Sequence, residues 1–82
     1  SLDVEQRACL ELVRMAKPDP LRPHSFFIMQ MPTQANFATL IGSSRETVSR
    51  IMTRLKNDSI INISERGLEI LDKKQLEKRA FG

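Results

Sequence analysis

The strongest constraint on this chain is the segment Ile41-Gly42-Ser43-Ser44-Arg45, because it separates two runs of helical periodicity and can both end one helix and start another. Upstream, Thr33 is a good N-cap, and Phe37, Ala38 and Ile41 share one face of a helix over residues 34–41. Gly42 follows where a left-handed residue closes a helix without a Cβ penalty. Ser43 or Ser44 then caps a second helix, and Glu46, three residues after Ser43, is spaced for a capping box. Two helices joined by a turn of about three to four residues containing glycine have the geometry of a helix-turn-helix. Ala38 is small enough to sit where the two helices approach closely.

The second helix, about residues 44–58, is sharply two-sided. At 100° per residue, Val48, Ile51, Met52 and Leu55 fall within about one third of the wheel and form its core side. Arg45, Glu46, Ser49, Arg50, Thr53, Arg54, Lys56 and Asn57 occupy the opposite half. Within residues 43–56, Arg45, Arg50, Arg54 and Lys56 against Glu46 give a local excess equal to the whole chain's +3, so the remaining charges cancel. Charge alone fits a solvated helix face. The residue types say more. Arginine can fork onto O6 and N7 of guanine, glutamate can accept from N4 of cytosine, and serine or threonine can reach base or phosphate. An acidic residue on a DNA-facing helix repels phosphates, so Glu46 is better explained by base readout than by backbone binding. These groups lie in the first turns, the part of a recognition helix that enters the major groove, where unpaired backbone N–H groups also favour a phosphate.

The other segments complete the domain. Asp3 and Gln6 have capping-box spacing, and Val4, Ala8, Cys9, Leu12, Met15 and Ala16 recur at helical spacing until Pro18 stops the run. Residues 17–24 carry three prolines and read as a surface loop, and residues 26–31 as a short buried or edge strand ended by Pro32. Cys9 and the methionines are expected in the core. After Asn57-Asp58-Ser59 the pattern alternates through Ile61 and Ile63, turns at Glu65-Arg66-Gly67 and resumes with Leu68 and Ile70, as a hairpin does. This hairpin would be a wing whose tip offers Arg66 to backbone phosphate. Asp72 caps a last helix, 73 to about 80, with Leu76 inward and Lys73, Lys74, Lys78 and Arg79 solvated. The expected fold is α+β: a winged helix-turn-helix with a three-helix core, a small antiparallel β-sheet wing and a short C-terminal helix.

Bulk properties narrow the function classes. Eighty-two residues make one domain, and with four Phe and no Trp or Tyr its core is built from Leu, Ile, Val and Met. The single cysteine forms no internal disulfide and fits a reducing cytoplasm, and no Cys, His or carboxylate cluster has metal-site spacing. No cofactor is expected in this domain. The run Phe26-Phe27-Ile28-Met29 is far short of the roughly 20 residues of a membrane span, so a soluble chain is expected. His24, the one histidine, lies in the proline-rich loop with no nucleophile or carboxylate placed to work with it, which argues against an enzyme.

Residues 33–71, "TQANFATLIGSSRETVSRIMTRLKNDSIINISERGLEIL", resemble the C-terminal DNA-binding domain of the bacterial cyclic AMP receptor protein and fumarate-nitrate regulator family. The run "SRETVSR", Ser44 to Arg50, is the most specific part, and the resemblance extends back to about Asp3. It implies that Arg45, Glu46 and Arg50 read base edges with Ser49 as a further contact. It also implies that Thr33 and Ser44 cap helices beside phosphate, and that the target is a palindrome whose half-sites contain TGA. Thr53, Arg54, Lys56 and Arg66 complete the expected backbone contacts. Ala35-Asn36 departs from the acidic residue common in the family. Family members carry a sensor barrel and a long dimerisation helix that do not fit in 82 residues, so the resemblance implies a fragment of a longer, homodimeric transcription regulator. The loop at 17–24 falls where some relatives touch RNA polymerase, which makes the polymerase a candidate partner. Two rivals stand beside this reading: a winged helix that binds protein rather than DNA, and a nucleic-acid binder without sequence preference.

Overall fold

In the computed structural model, which describes residues 3–82, the chain opens with a reciprocal cap. Asp3 Oδ1 accepts from the Gln6 N–H at 2.8 Å, and Gln6 Oε1 accepts from the Asp3 N–H at 3.2 Å. Helix α1 (Val4–Met15) follows and buries Ala8, Cys9 and Leu12. Ala16 is extended, and Lys17–Pro18 form a two-residue strand, β1, antiparallel to β2 (Phe26–Ile28). The segment expected to be loop throughout therefore begins as a strand. A residue before proline is biased to extended backbone, and Pro18 sits on the outer strand of the sheet, where a missing N–H is tolerated. His24 lies in the exposed connection with φ of 68°.

Helix α2 (Gln34–Ile41) is capped by Thr33, whose Oγ1 accepts from the Asn36 N–H at 3.1 Å. Gly42 takes the left-handed conformation, φ 69° and ψ 43°, and the Ser43 N–H donates to Ala38 O at 2.8 Å. Helix α3 (Arg45–Asn57) is capped by Ser44, whose Oγ accepts from the Thr47 N–H at 3.2 Å. The capping box between Ser43 and Glu46 does not form: Ser43 closes α2, and the third position after the true cap is Thr47.

Strands β3 (Ile61–Ser64) and β4 (Gly67–Ile70) make the hairpin, and the sheet order is β1-β2-β4-β3, all antiparallel. The wing is thus half of a four-stranded sheet. β2 is an inner strand and ends at Ile28, opposite Leu68, so Met29 is 67% exposed and not in the core. Gly67 pairs with Ser64 and belongs to β4, leaving Glu65 and Arg66 as the turn. At φ 130°, a Cβ on Gly67 would collide with the Ile28 carbonyl oxygen and lie 2.7 Å from that of Met29. Only glycine allows this approach. Ile63 shares a face with Ile61 but is 54% exposed, because it lies at the turn end of β3 whereas Ile61 at the other end sits on the core.

Asp72 caps α4 (Lys73–Phe81), which packs along α1 and adds Leu76 and Ala80 to the core. Its charges are more engaged than expected. The Lys73 ammonium lies 3.9 Å from the centre of the Phe26 ring, and Arg79 donates to Asp58 at 2.8 Å. One apolar cluster joins all four helices and the sheet, with Leu12, Phe37, Val48, Leu55, Ile61, Leu68 and Leu76 at its centre. The fold is a winged helix-turn-helix.

Candidate nucleic-acid interface

Burial on one side fixes what α3 shows on the other. Val48, Ile51, Met52 and Leu55 are buried, so the rotation of the helix is set by the core. Arg45, Glu46, Ser49, Arg50, Thr53, Arg54, Lys56 and Asn57 are all exposed as a consequence. The side chains of Arg45, Glu46 and Lys56 have no intramolecular hydrogen bond or ion pair among the described residues. Arg50 Nη2 donates to Thr47 Oγ1 at 3.3 Å, a single weak contact that leaves most of the guanidinium available. A shallow open groove runs along Ser49, Arg50, Thr53, Arg54, Asn57 and Asp58.

The expected backbone-contacting residues divide into two groups. Thr33 and Ser44 cap α2 and α3, and the first residues of both helices are exposed. Thr53 and Lys56 are exposed and uncommitted among the described residues. Arg54 is held in an ion pair with Glu5 on the first turn of α1, and both partners are partly exposed.

Arg66 lies in the wing turn as expected, but its guanidinium is already engaged. Its guanidinium makes two parallel bonds to Asp19, Nη2 to Oδ1 at 2.9 Å and Nη1 to Oδ2 at 3.0 Å, and lies 4.8 Å from the centre of the Phe27 ring. Asp19 is the buried charged residue of the described chain. The Arg66 hydrogen bonds, followed by the Leu21 N–H at 2.9 Å, hold its carboxyl below the usual carboxylate range, and the same bonds raise Arg66. The wing-tip arginine thus already has a bidentate anionic partner. A second tie, Arg22 to Glu69 at 3.1 Å, joins the same loop to β4. Nothing in Pro18-Asp19-Pro20 signals this pairing, since an Asp between prolines also reads as an ordinary turn residue.

The face also includes a residue that the linear pattern does not single out. Gln34, the first residue of α2, lines a shallow depression together with Arg45, Glu46 and Ser49. Periodicity places Gln34 only as an exposed helix start; its position beside α3 depends on the interhelical turn.

No group of His, Cys, Asp or Glu among the described residues could hold a metal ion. Burial, with a smaller contribution from Glu5, pushes the Cys9 thiol up to about 11, away from the reactive thiolate. Among the described residues, no helix is long and apolar enough to cross a membrane.

A family model, the Crp-like helix-turn-helix domain, matches residues 6–79. Among solved structures, a transcriptional regulator of the CRP family from Thermus thermophilus superposes with a TM-score of 0.78 at 20% identity, covering 100% of this chain and 42% of that one. The reduced, Fe(II) form of the CO-sensing protein from R. rubrum gives 0.77 at 26% identity, over 95% of this chain and 37% of that one. The catabolite activator protein of Thermus thermophilus gives 0.71 at 24% identity, over 96% and 34% respectively. The chain therefore spans well under half the length of these relatives. No curated protein matches it.

Proposed function

The chain belongs to the Crp-like helix-turn-helix domain family, and from that premise we propose that it binds double-stranded DNA sequence-selectively, in bacterial transcription regulation, with α3 in the major groove. The observation that carries this reading is the uncommitted pair Arg45 and Glu46 on the first turn of α3, beside an Arg50 held by one weak contact. Arg45 and Arg50 offer donor forks to guanine edges, Glu46 an acceptor to cytosine N4, and Ser49 a hydroxyl to either. Thr33, Ser44, Thr53 and Lys56 would set register on the phosphates, joined by Arg54 if it exchanges Glu5 for a phosphate oxygen. Arg66 is left out of this set because it would first have to abandon the buried Asp19.

One such domain covers one half-site, so its own affinity is expected to be weak. In a homodimer, two copies of α3 set about 34 Å apart would match a palindrome, with TGA in each half as the expected core. The exposed loop containing Leu21 is the candidate contact for RNA polymerase. A reducing cytoplasm suits such a protein and its unpaired Cys9.

The test is selection of duplexes from a random pool by the chain held at high surface density, at two salt concentrations. Enrichment of a short G·C-containing half-site that disappears in Arg50→Ala is the expected result. Salt-dependent binding that enriches nothing would leave a backbone binder, and no binding at low salt would shift the assignment to a protein-interaction domain.

A further inference from the structure

Resting on the reading of α3 as a base-reading helix, we propose that Gln34 is an additional specificity-determining residue, reading an A·T pair next to the bases read by α3. Three observations converge on it. Gln34 is exposed, and its side-chain amide has no intramolecular partner among the described residues. The capping task at this helix start belongs to Thr33, which leaves Gln34 unneeded for holding α2. Gln34 borders the same depression as Arg45, Glu46 and Ser49, three of the four groups assigned to base edges, and on its other side meets the apolar pocket of Met52, Ile63 and Leu68.

The chemistry of the amide selects its target. Glutamine carries a donor and an acceptor at one end, the arrangement that pairs with N6 and N7 of adenine in the major groove. It has no charge, so it releases no counterion and gains none of the electrostatic affinity that makes Lys and Arg useful against phosphate. Glu46 reinforces the division of labour. The Glu46 carboxylate makes the shared depression less favourable for phosphate, while a base edge can satisfy both an amide and a carboxylate. Turn geometry fixes the relation between the two sites: Gly42 and Ser43 close α2 directly onto the cap of α3, so Gln34 stays in a fixed register with Arg45.

The experiment is parallel selection from one random pool with the unaltered chain, Gln34→Ala, Gln34→Glu and Arg50→Ala. The unaltered chain is expected to show a core lost in Arg50→Ala, flanked by an A·T position preferred roughly tenfold. Gln34→Ala should erase that flanking preference and keep the core. Gln34→Glu, which can accept but not donate, should move the preference from adenine toward cytosine. A core without a flanking preference, a preference that survives Gln34→Ala, or an equal loss of affinity on every duplex would overturn this assignment while leaving the reading of α3 intact. A pool that enriches nothing with the unaltered chain would overturn both.

Discussion

The outward face of α3 and the sheet side of the molecule use the same basic residue types for opposite ends. On the sheet side, Arg66 is locked to Asp19 and Arg22 to Glu69 at 3.1 Å, while Lys73 sits over Phe26. On α3, Arg45 and Lys56 have no such partner among the described residues and Arg50 has one neutral contact, Arg54 being the exception through its pair with Glu5. A count of charges cannot tell these regions apart. What separates them is whether a carboxylate of the chain already fills the arginine fork, because a filled fork must lose a charge-assisted pair before it can take a phosphate or a base.

The contrast can be broken from the tied side with the largest effect. Gly67→Ala forces a Cβ into the Ile28 and Met29 carbonyls, which cannot yield without moving β2. A stability loss of at least about 2 kcal/mol is expected in urea unfolding. On the open side the pattern reverses. Arg50→Ala should cost about 1–3 kcal/mol in binding to the preferred duplex, with stability within about 0.5 kcal/mol of the unaltered chain because the side chain is exposed. A binding loss equal on all duplexes would contradict base readout.

A finer comparison sets Lys56→Gln against Arg66→Gln in salt titrations. The slope of log affinity against log salt should fall by about 0.9 for Lys56 and stay unchanged for Arg66, whose substitution should instead lower the thermal midpoint. Equal changes in slope would mean that the Asp19 tie opens on DNA. The smallest effect is expected from pH. The Asp19 carboxyl is held below its ordinary value of 3.8, so the stability it contributes is complete above that value and is lost as pH falls through the lower folded value. Asp19→Asn should flatten this acid limb of the midpoint-against-pH curve.

Local signals explain what was legible in the sequence. The Asp3-Gln6 box, the Thr33 and Asp72 caps, Gly42 and the inward face of α3 act within one or two turns, and all appear where the pattern puts them. The family resemblance carried by residues 33–71 agrees with the family match. Long-range pairings escaped. Lys17–Pro18 is a strand only because β2 lies beside it, and Ile63 is exposed only because the core reaches Ile61 and not the turn end of β3. Asp19 and Arg66 are 47 positions apart, and neither has a neighbour that predicts the other. Of the candidate site, the residues on α3 were legible because one helix carries them all; Gln34 required the angle between two helices, and the engagement of Arg66 required the sheet.

The most direct test follows the arginine side-chain Nε–Hε signals by NMR while the chain is titrated with a duplex containing the selected half-site. The Arg45 and Arg50 signals are expected to shift with saturation, while those of Arg66 and Arg22 stay in place. Shifts as large at Arg66 and Arg22, with Arg45 and Arg50 unmoved, would contradict the assignment of the open face to DNA.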